Sequence, residues 1–236
     1  MTGMLASVNS IAEALLVLNA EVDIIDLKQP ALGALGALEL EDVKQIVAAI
    51  AGHRPVSATI GDLPMQPEVI FNAVHTMAET GVDYIKIGFF PGGDWIGTLK
   101  RLGELAPQKL ALIAVFFADT EPDLTILVTL KASGFVGVML DTMDKQQGSL
   151  TQVLAAEQIV RFVSQAKQLQ LLCGLAGSLR LTDIPELIAY HPDYLGFRGA
   201  LCQEHNRVGQ LNQSAVQAIK QAMQAASQEL AIESLK

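Results

Sequence analysis

Thiols are scarce in this chain: Cys173 and Cys202 are the only two among 236 residues. Two cysteines cannot build a disulfide framework, and neither has a partner at metal-binding spacing, so both are expected to be buried and inert, on adjacent strands. The four histidines, His53, His75, His191 and His205, are scattered without ligand spacing, and no metal site is expected. Basic residues are outnumbered, 16 against 25 acidic, for a net charge of −9. Such a chain is a poor general binder of nucleic acid or anionic membrane, so any anion site must be local. No apolar run is long enough to span a bilayer. The opening "MTGMLASVNS" lacks a basic region followed by a long apolar core. A cytoplasmic protein is expected. Also missing are a Gly-x-Ser-x-Gly elbow, a Walker loop, a linker and any low-complexity tract, which leaves a single domain over residues 1–236.

What the chain does have is alternation. Eight short apolar runs recur: "GMLASV", "VDIIDL", "PVSATIG", "DYIKIGFF", "LALIAVFF", "VGVMLDT", "LLCGLAG" and "YLGFRGA". Between them lie stretches with apolar residues at three- and four-residue intervals, such as "SIAEALLVLNA" and "AAEQIVRFVSQAKQ", with Gly52 and Gly81 placed as helix stops. Strand–helix alternation implies a parallel sheet, and eight units over this length imply an α/β fold of the closed (β/α)8 TIM-barrel kind. An open doubly wound sheet usually carries a glycine fingerprint after its first strand, and "ASVNSIAEA" has none. The stretch "AVQAIKQAMQAASQELA" reads as the last helix, with a polar end expected to fray.

In a barrel, chemistry collects at the carboxyl ends of the strands. Strand two offers Asp26 and Lys28, two apart and so on one face. Strand three offers Ser57 and Thr59, strand four Lys86, and strand five is followed by Asp119. Strand six ends at Asp141 with Lys145 shortly after, strand seven in Gly177 and Ser178, and strand eight in Arg198 and Gly199. A lysine at such a mouth can act as a neutral amine that forms a Schiff base, or as a cation that pins phosphate or protonates a leaving oxygen. The plain alternative for Lys28 is a structural ion pair with Asp26. The glycine-rich turns "AGSLR" and "FRGAL" suit phosphate, with Ser178 adding a hydroxyl and Arg198 a fixed charge. "ALGALGAL", with Gly33 and Gly36, offers a second flexible or phosphate-facing loop.

The motifs "DIIDLKQP…GALGA", "VSATIGD", "GVDYIKIG", "VMLDT…K", "LAGSL" and "GFRGALC" occur in this order from end to end. With them the chain resembles the (5-formylfuran-3-yl)methyl phosphate synthase family of methanofuran biosynthesis, which makes 4-(hydroxymethyl)-2-furancarboxaldehyde phosphate from two glyceraldehyde 3-phosphates. The resemblance implies an aldolase-like lyase that needs no metal or other cofactor. It implies a Schiff-base lysine at Lys28, a proton-transferring lysine at Lys86, and supporting roles for Asp26, Asp141 and Lys145. Triose phosphates are the expected partners, and a homo-oligomer is compatible with the sequence. Two other readings stay open: another class I aldolase acting on sugar phosphates, and a non-catalytic barrel that binds a phosphorylated metabolite and regulates a partner.

Overall fold

The eight apolar runs become eight parallel strands: β1 (Gly3–Val8), β2 (Ile24–Leu27), β3 (Val56–Thr59), β4 (Tyr84–Gly88), β5 (Leu112–Phe117), β6 (Gly137–Asp141), β7 (Leu172–Leu175) and β8 (Tyr194–Phe197). They pair in chain order, and β1 pairs with β8, so the sheet closes into a barrel. These are features of a computed structural model in which residues 1–233 are described, the side chains of residues 106, 107 and 233 excepted. The chain end expected to fray lies in part outside those residues. Helices α1 (Ile11–Asn19), α2 (Leu40–Ile50), α3 (Pro67–Ala78), α4 (Trp95–Leu102), α5 (Ile126–Ala132), α6 (Leu150–Val153), α7 (Ala156–Gln168), α8 (Ile184–Ala189) and α9 (Gln213–Glu233) surround it. The architecture is a single-domain TIM barrel. Among the described residues, no helix is long and apolar enough to cross a membrane.

Alternation along each strand divides the side chains between two cores. Outward residues such as Val56, Ala58, Ile85 and Val138 pack under helix residues such as Val43, Ile46 and Phe162 in one large cluster. Inward residues, Leu5, Ile113, Val115, Phe117, Met139 and Tyr194 among them, fill the barrel. Gly174 is needed there: a Cβ on it would stand 2.3 Å from the Tyr194 ring, so only glycine lets the tyrosine cross the interior. Helix stops act as the sequence suggests, Gly52 and Gly81 following α2 and α3 with φ of 72° and 84°.

The cysteines differ from expectation in one respect. Both are buried, but only Cys173 is on a strand. β8 stops at Phe197, and Cys202 follows a 3-10 turn (Gly199–Leu201) in an isolated antiparallel bridge with Leu211.

Candidate active site

Asp26 and Lys86 form the deepest charged pair in the barrel. The register sets Ser7, Asp26 and Ser57 side by side on β1, β2 and β3, with Lys86 one level along on β4. All four point inward, because their odd and even neighbours are packed under the helices. The Lys86 ammonium donates to Asp26 Oδ1 at 2.9 Å, with the two side chains 2% and 0% exposed. Ser57 Oγ donates to the same oxygen at 2.6 Å and Ser7 Oγ to the other at 2.8 Å. Burial works to raise the Asp26 carboxyl pKa, but Lys86, Lys28 and the Ser57 hydroxyl outweigh it and hold the group below its usual range.

Lys28 is treated differently. It is equally buried, at 6% exposed, yet its amine takes no hydrogen bond or ion pair among the described residues. The ion pair with Asp26, weighed from sequence, does not form; the carboxylate is engaged by Lys86 instead. Burial pushes the Lys28 amine down from 10.5 to about 8. Asp141 and Asp26 resist that shift, and the cations of Lys145 and Lys86 assist it. A substantial neutral fraction near physiological pH is therefore available at an amine that faces a cavity.

A second pair lies opposite. Asp141, at the end of β6, accepts from Lys145 Nζ at 2.5 Å and from the Thr142 N–H at 2.8 Å. Lys145 also donates to the Thr142 carbonyl. Burial would raise the Asp141 pKa; Lys145 and Lys28 overcome that and bring it to about 2, so it is an anion at any working pH. Asp119 does not join the mouth. Its carboxylate accepts the N–H groups of Met143 and Asp144, both at 2.7 Å, and so pins the loop that carries Lys145.

One solvent-open cavity, of about 620 Å³ counting its open part, gathers these groups at the carboxyl ends of the strands. Lys28, Lys86, Asp141, Lys145, Gly177, Ser178, Arg198 and Gly199 all line it. Asp26 lies behind Lys86 and does not. Ser57 and Thr59 are not on the wall either: Ser57 holds Asp26, and Thr59 donates to the Gly36 carbonyl at 3.1 Å, bracing the loop after β2. That loop is firm rather than open. Asp62 accepts the N–H groups of Ala34 and Leu35, and a Cβ at Gly36 would come within 2.3 Å of the Gln29 carbonyl.

The turns after β7 and β8 reach the cavity with their backbones. Gly177 has φ 107° and Ser178 φ 49°. Among the described residues, the N–H groups of Ser178, Gly199 and Ala200 have no protein acceptor. Arg198, expected as a charge for phosphate, has all five N–H bonds engaged by the protein. Nε donates to the Arg207 carbonyl (2.8 Å). Nη1 donates to the Ser7 carbonyl (3.2 Å) and Glu13 Oε2 (2.5 Å), and Nη2 to Glu13 Oε1 (3.3 Å) and the Gly209 carbonyl (2.7 Å). It is a buried post joining β8 to β1 and α1. Arg180, His205 and Arg207 also line the cavity and escaped the sequence reading. Arg180 lay within the quoted "AGSLR"; His205 and Arg207 stand in a polar loop whose composition did not set them apart. The wall thus holds six lysine and arginine side chains against the single carboxylate of Asp141, in a chain whose net charge is −9.

Known proteins resemble this chain along most of its length. The sequence profile described as 4-HFC-P synthase matches residues 4–220. A protein of Methylorubrum extorquens, named provisionally as a (5-formylfuran-3-yl)methyl phosphate synthase, is 42% identical over 222 residues, covering 94% of this chain and 92% of that one. The (5-formylfuran-3-yl)methyl phosphate synthase of Methanocaldococcus jannaschii is 30% identical over 231 residues, covering 92% and 98%. Among solved structures, 3-hexulose-6-phosphate synthase from Salmonella typhimurium superimposes with a TM-score of 0.65 at 15% identity, over 95% of this chain and 100% of that one, a likeness of fold.

Proposed function

Because the chain belongs to the 4-HFC-P synthase family, we propose that it condenses two glyceraldehyde 3-phosphates into (5-formylfuran-3-yl)methyl phosphate through a Schiff base on Lys28. The observation that carries this reading is the Lys28 amine, buried and unpartnered, lowered to about 8, and open to a cavity lined mostly by cations. A binding site for phosphate alone has no use for such an amine, since a neutral lysine contributes no charge. As a nucleophile it does.

In this scheme neutral Lys28 adds to the aldehyde carbon of one triose phosphate and water leaves, giving an iminium. The proton on the neighbouring carbon is then acidic. Its removal gives an enamine, which attacks the aldehyde of the second triose. Lys86, held in place by Asp26, moves protons at this centre, and the Asp141–Lys145 pair serves the hydroxyl and phosphate oxygens that leave. Hydrolysis of the imine frees Lys28, so net conversion releases one phosphate and two waters, and closure to an aromatic ring draws the sequence forward. The free N–H groups of the Ser178 and Gly199 turns are the first phosphate seat.

Incubation with glyceraldehyde 3-phosphate tests it. A furan product should appear by its near-ultraviolet absorbance and by mass. Borohydride added during turnover should fix a triose-derived mass on the peptide bearing Lys28. A furan formed without any lysine adduct would end the covalent part of the scheme, and absence of furan would end the whole.

A further inference from the structure

We propose that Arg207 is the side chain that reads a substrate phosphate, and that it ties this phosphate to the segment bearing Lys28. The proposal deepens the reading above and takes from it only the class of ligand, a phosphorylated aldehyde. Arg207 stands in the loop between β8 and α9, half-buried on the cavity wall. Its Nη1 donates to the Pro30 carbonyl and its Nη2 to the Gly33 carbonyl, both at 2.9 Å. Those carbonyls belong to the turn that follows Lys28. Its other three N–H bonds have no protein acceptor among the described residues. The side chain also lies against the turn after β8: a Cβ added to Gly199 would stand 3.8 Å from Arg207 Cβ. Arg207 and the unpaired N–H groups of Gly199 and Ala200 thus stand on the wall of one cavity.

The contrast with Arg198 assigns the roles. Both arginines line one cavity, but Arg198 has every donor satisfied by protein and cannot accept a ligand without breaking a buried ion pair. Arg207 keeps three N–H bonds free while two others grip the loop after β2. A phosphate oxygen bound on the free N–H bonds, with a further oxygen on the Gly199–Ala200 amides, joins the ends of β8 and β2 through one planar group. Lysine has no such fork and can replace the charge but not the bridge.

The test measures binding and trapping on the full chain. Arg207→Ala should weaken equilibrium binding of inorganic phosphate and of glycerol 3-phosphate by about 10- to 100-fold, the loss expected for a charge-assisted contact. It should raise the KM for glyceraldehyde 3-phosphate by a similar factor. Unphosphorylated glyceraldehyde offers Arg207 no phosphate, so its borohydride trapping on Lys28 should fall by clearly less than trapping of glyceraldehyde 3-phosphate. Methylguanidinium should restore part of the loss, and Arg207→Lys should fall between the two. Unchanged phosphate binding in Arg207→Ala would overturn the proposal. An equal loss of trapping for phosphorylated and unphosphorylated aldehydes would also overturn it, since the residue would then be only a brace. Phosphate binding is read without turnover, so a wild-type protein that makes no furan still tests Arg207 while refuting the proposed reaction.

Discussion

Replacing Lys28 with methionine should make the protein more stable, whereas the same change at Lys86 should make it less so. The two lysines are comparably buried, Lys28 just past the end of β2 and Lys86 within β4. They differ in what surrounds the amine. A protonated Lys28 has no partner, and its pKa falls from 10.5 to about 8. Keeping that proton at neutral pH costs folding about 3 kcal/mol, at about 1.36 kcal/mol for each tenfold change in proton affinity. Below about pH 8 both folded and unfolded chains carry the proton and the full cost is present. Between about 8 and 10.5 the unfolded chain binds more protons, so wild-type stability climbs with pH; above that range the cost is gone. Lys28→Met, of similar size, removes it at every pH. Lys86→Met leaves the carboxylate of Asp26 buried with only two serine hydroxyls, and should destabilise by about 3–5 kcal/mol. Urea unfolding of the three proteins at pH 7 and pH 10 reads both effects. The gain from Lys28→Met should shrink at the higher pH. A Lys28→Met protein that is less stable than wild type, or a gain that ignores pH, would mean that Lys28 is held as a stabilised ammonium, and the argument for a neutral nucleophile would fail.

Other outcomes follow from the same geometry. The initial rate of borohydride-dependent trapping should rise about tenfold per pH unit below about 8 and level off above it, as the neutral fraction of Lys28 does; a profile flat from pH 6 to 9 would contradict this. Arg198→Met should lower stability by about 3–5 kcal/mol by stranding Glu13, while Arg198→Met paired with Glu13→Gln should recover part of it; a mutant of unchanged melting temperature with only a raised KM would put Arg198 back among the phosphate ligands. Activity should persist in excess EDTA, since the sequence holds no His, Cys and carboxylate cluster at ligand spacing; loss restored by one divalent ion would replace the imine with a metal-held enolate.

The barrel was legible because its signal is local. Eight apolar runs and the helical spacing between them can each be read without knowing what lies elsewhere in the chain. So could the placement of Lys28 and Asp141 at strand ends, which follows from counting along a strand, whereas Lys86 lies in the middle of β4 and reaches the cavity from deeper in the barrel. Pairing could not be read. Asp26 is two residues from Lys28 and sixty from Lys86, yet it bonds the latter, because register across three strands decides the contact. Arg198 looked free for the same reason: its partner Glu13 is 185 residues away in sequence. Thr59 and Ser57 resembled ligand contacts because a strand-end hydroxyl says nothing about which carbonyl or carboxylate it meets. Arg207 carried no signal, since its meaning comes from two carbonyls of a distant loop.

A single carboxylate has a bearing on how the molecule assembles. Asp26 accepts hydrogen bonds from Ser7 on β1, Ser57 on β3 and Lys86 on β4, so one side chain on β2 ties together four consecutive strands. Those strands are finished by Gly88, before any residue of the second half is needed. The seam is the reverse: Gly3 must find Tyr194, the most distant strand pairing in the chain. Loop-closure entropy opposes such a contact until the rest is in place. We therefore expect the first four strands to order as an early unit, with Lys28 and Lys86 already in their places, and the β1–β8 closure with its Glu13–Arg198 bolt to come last. Pulsed hydrogen exchange during refolding would register this as protection of residues 84–88 ahead of residues 194–197, and simultaneous protection would refute it. Lys28 and Lys86 would then be positioned by the nascent half-barrel, and closure would bring the Asp141–Lys145 pair and the turns after β7 and β8 around them.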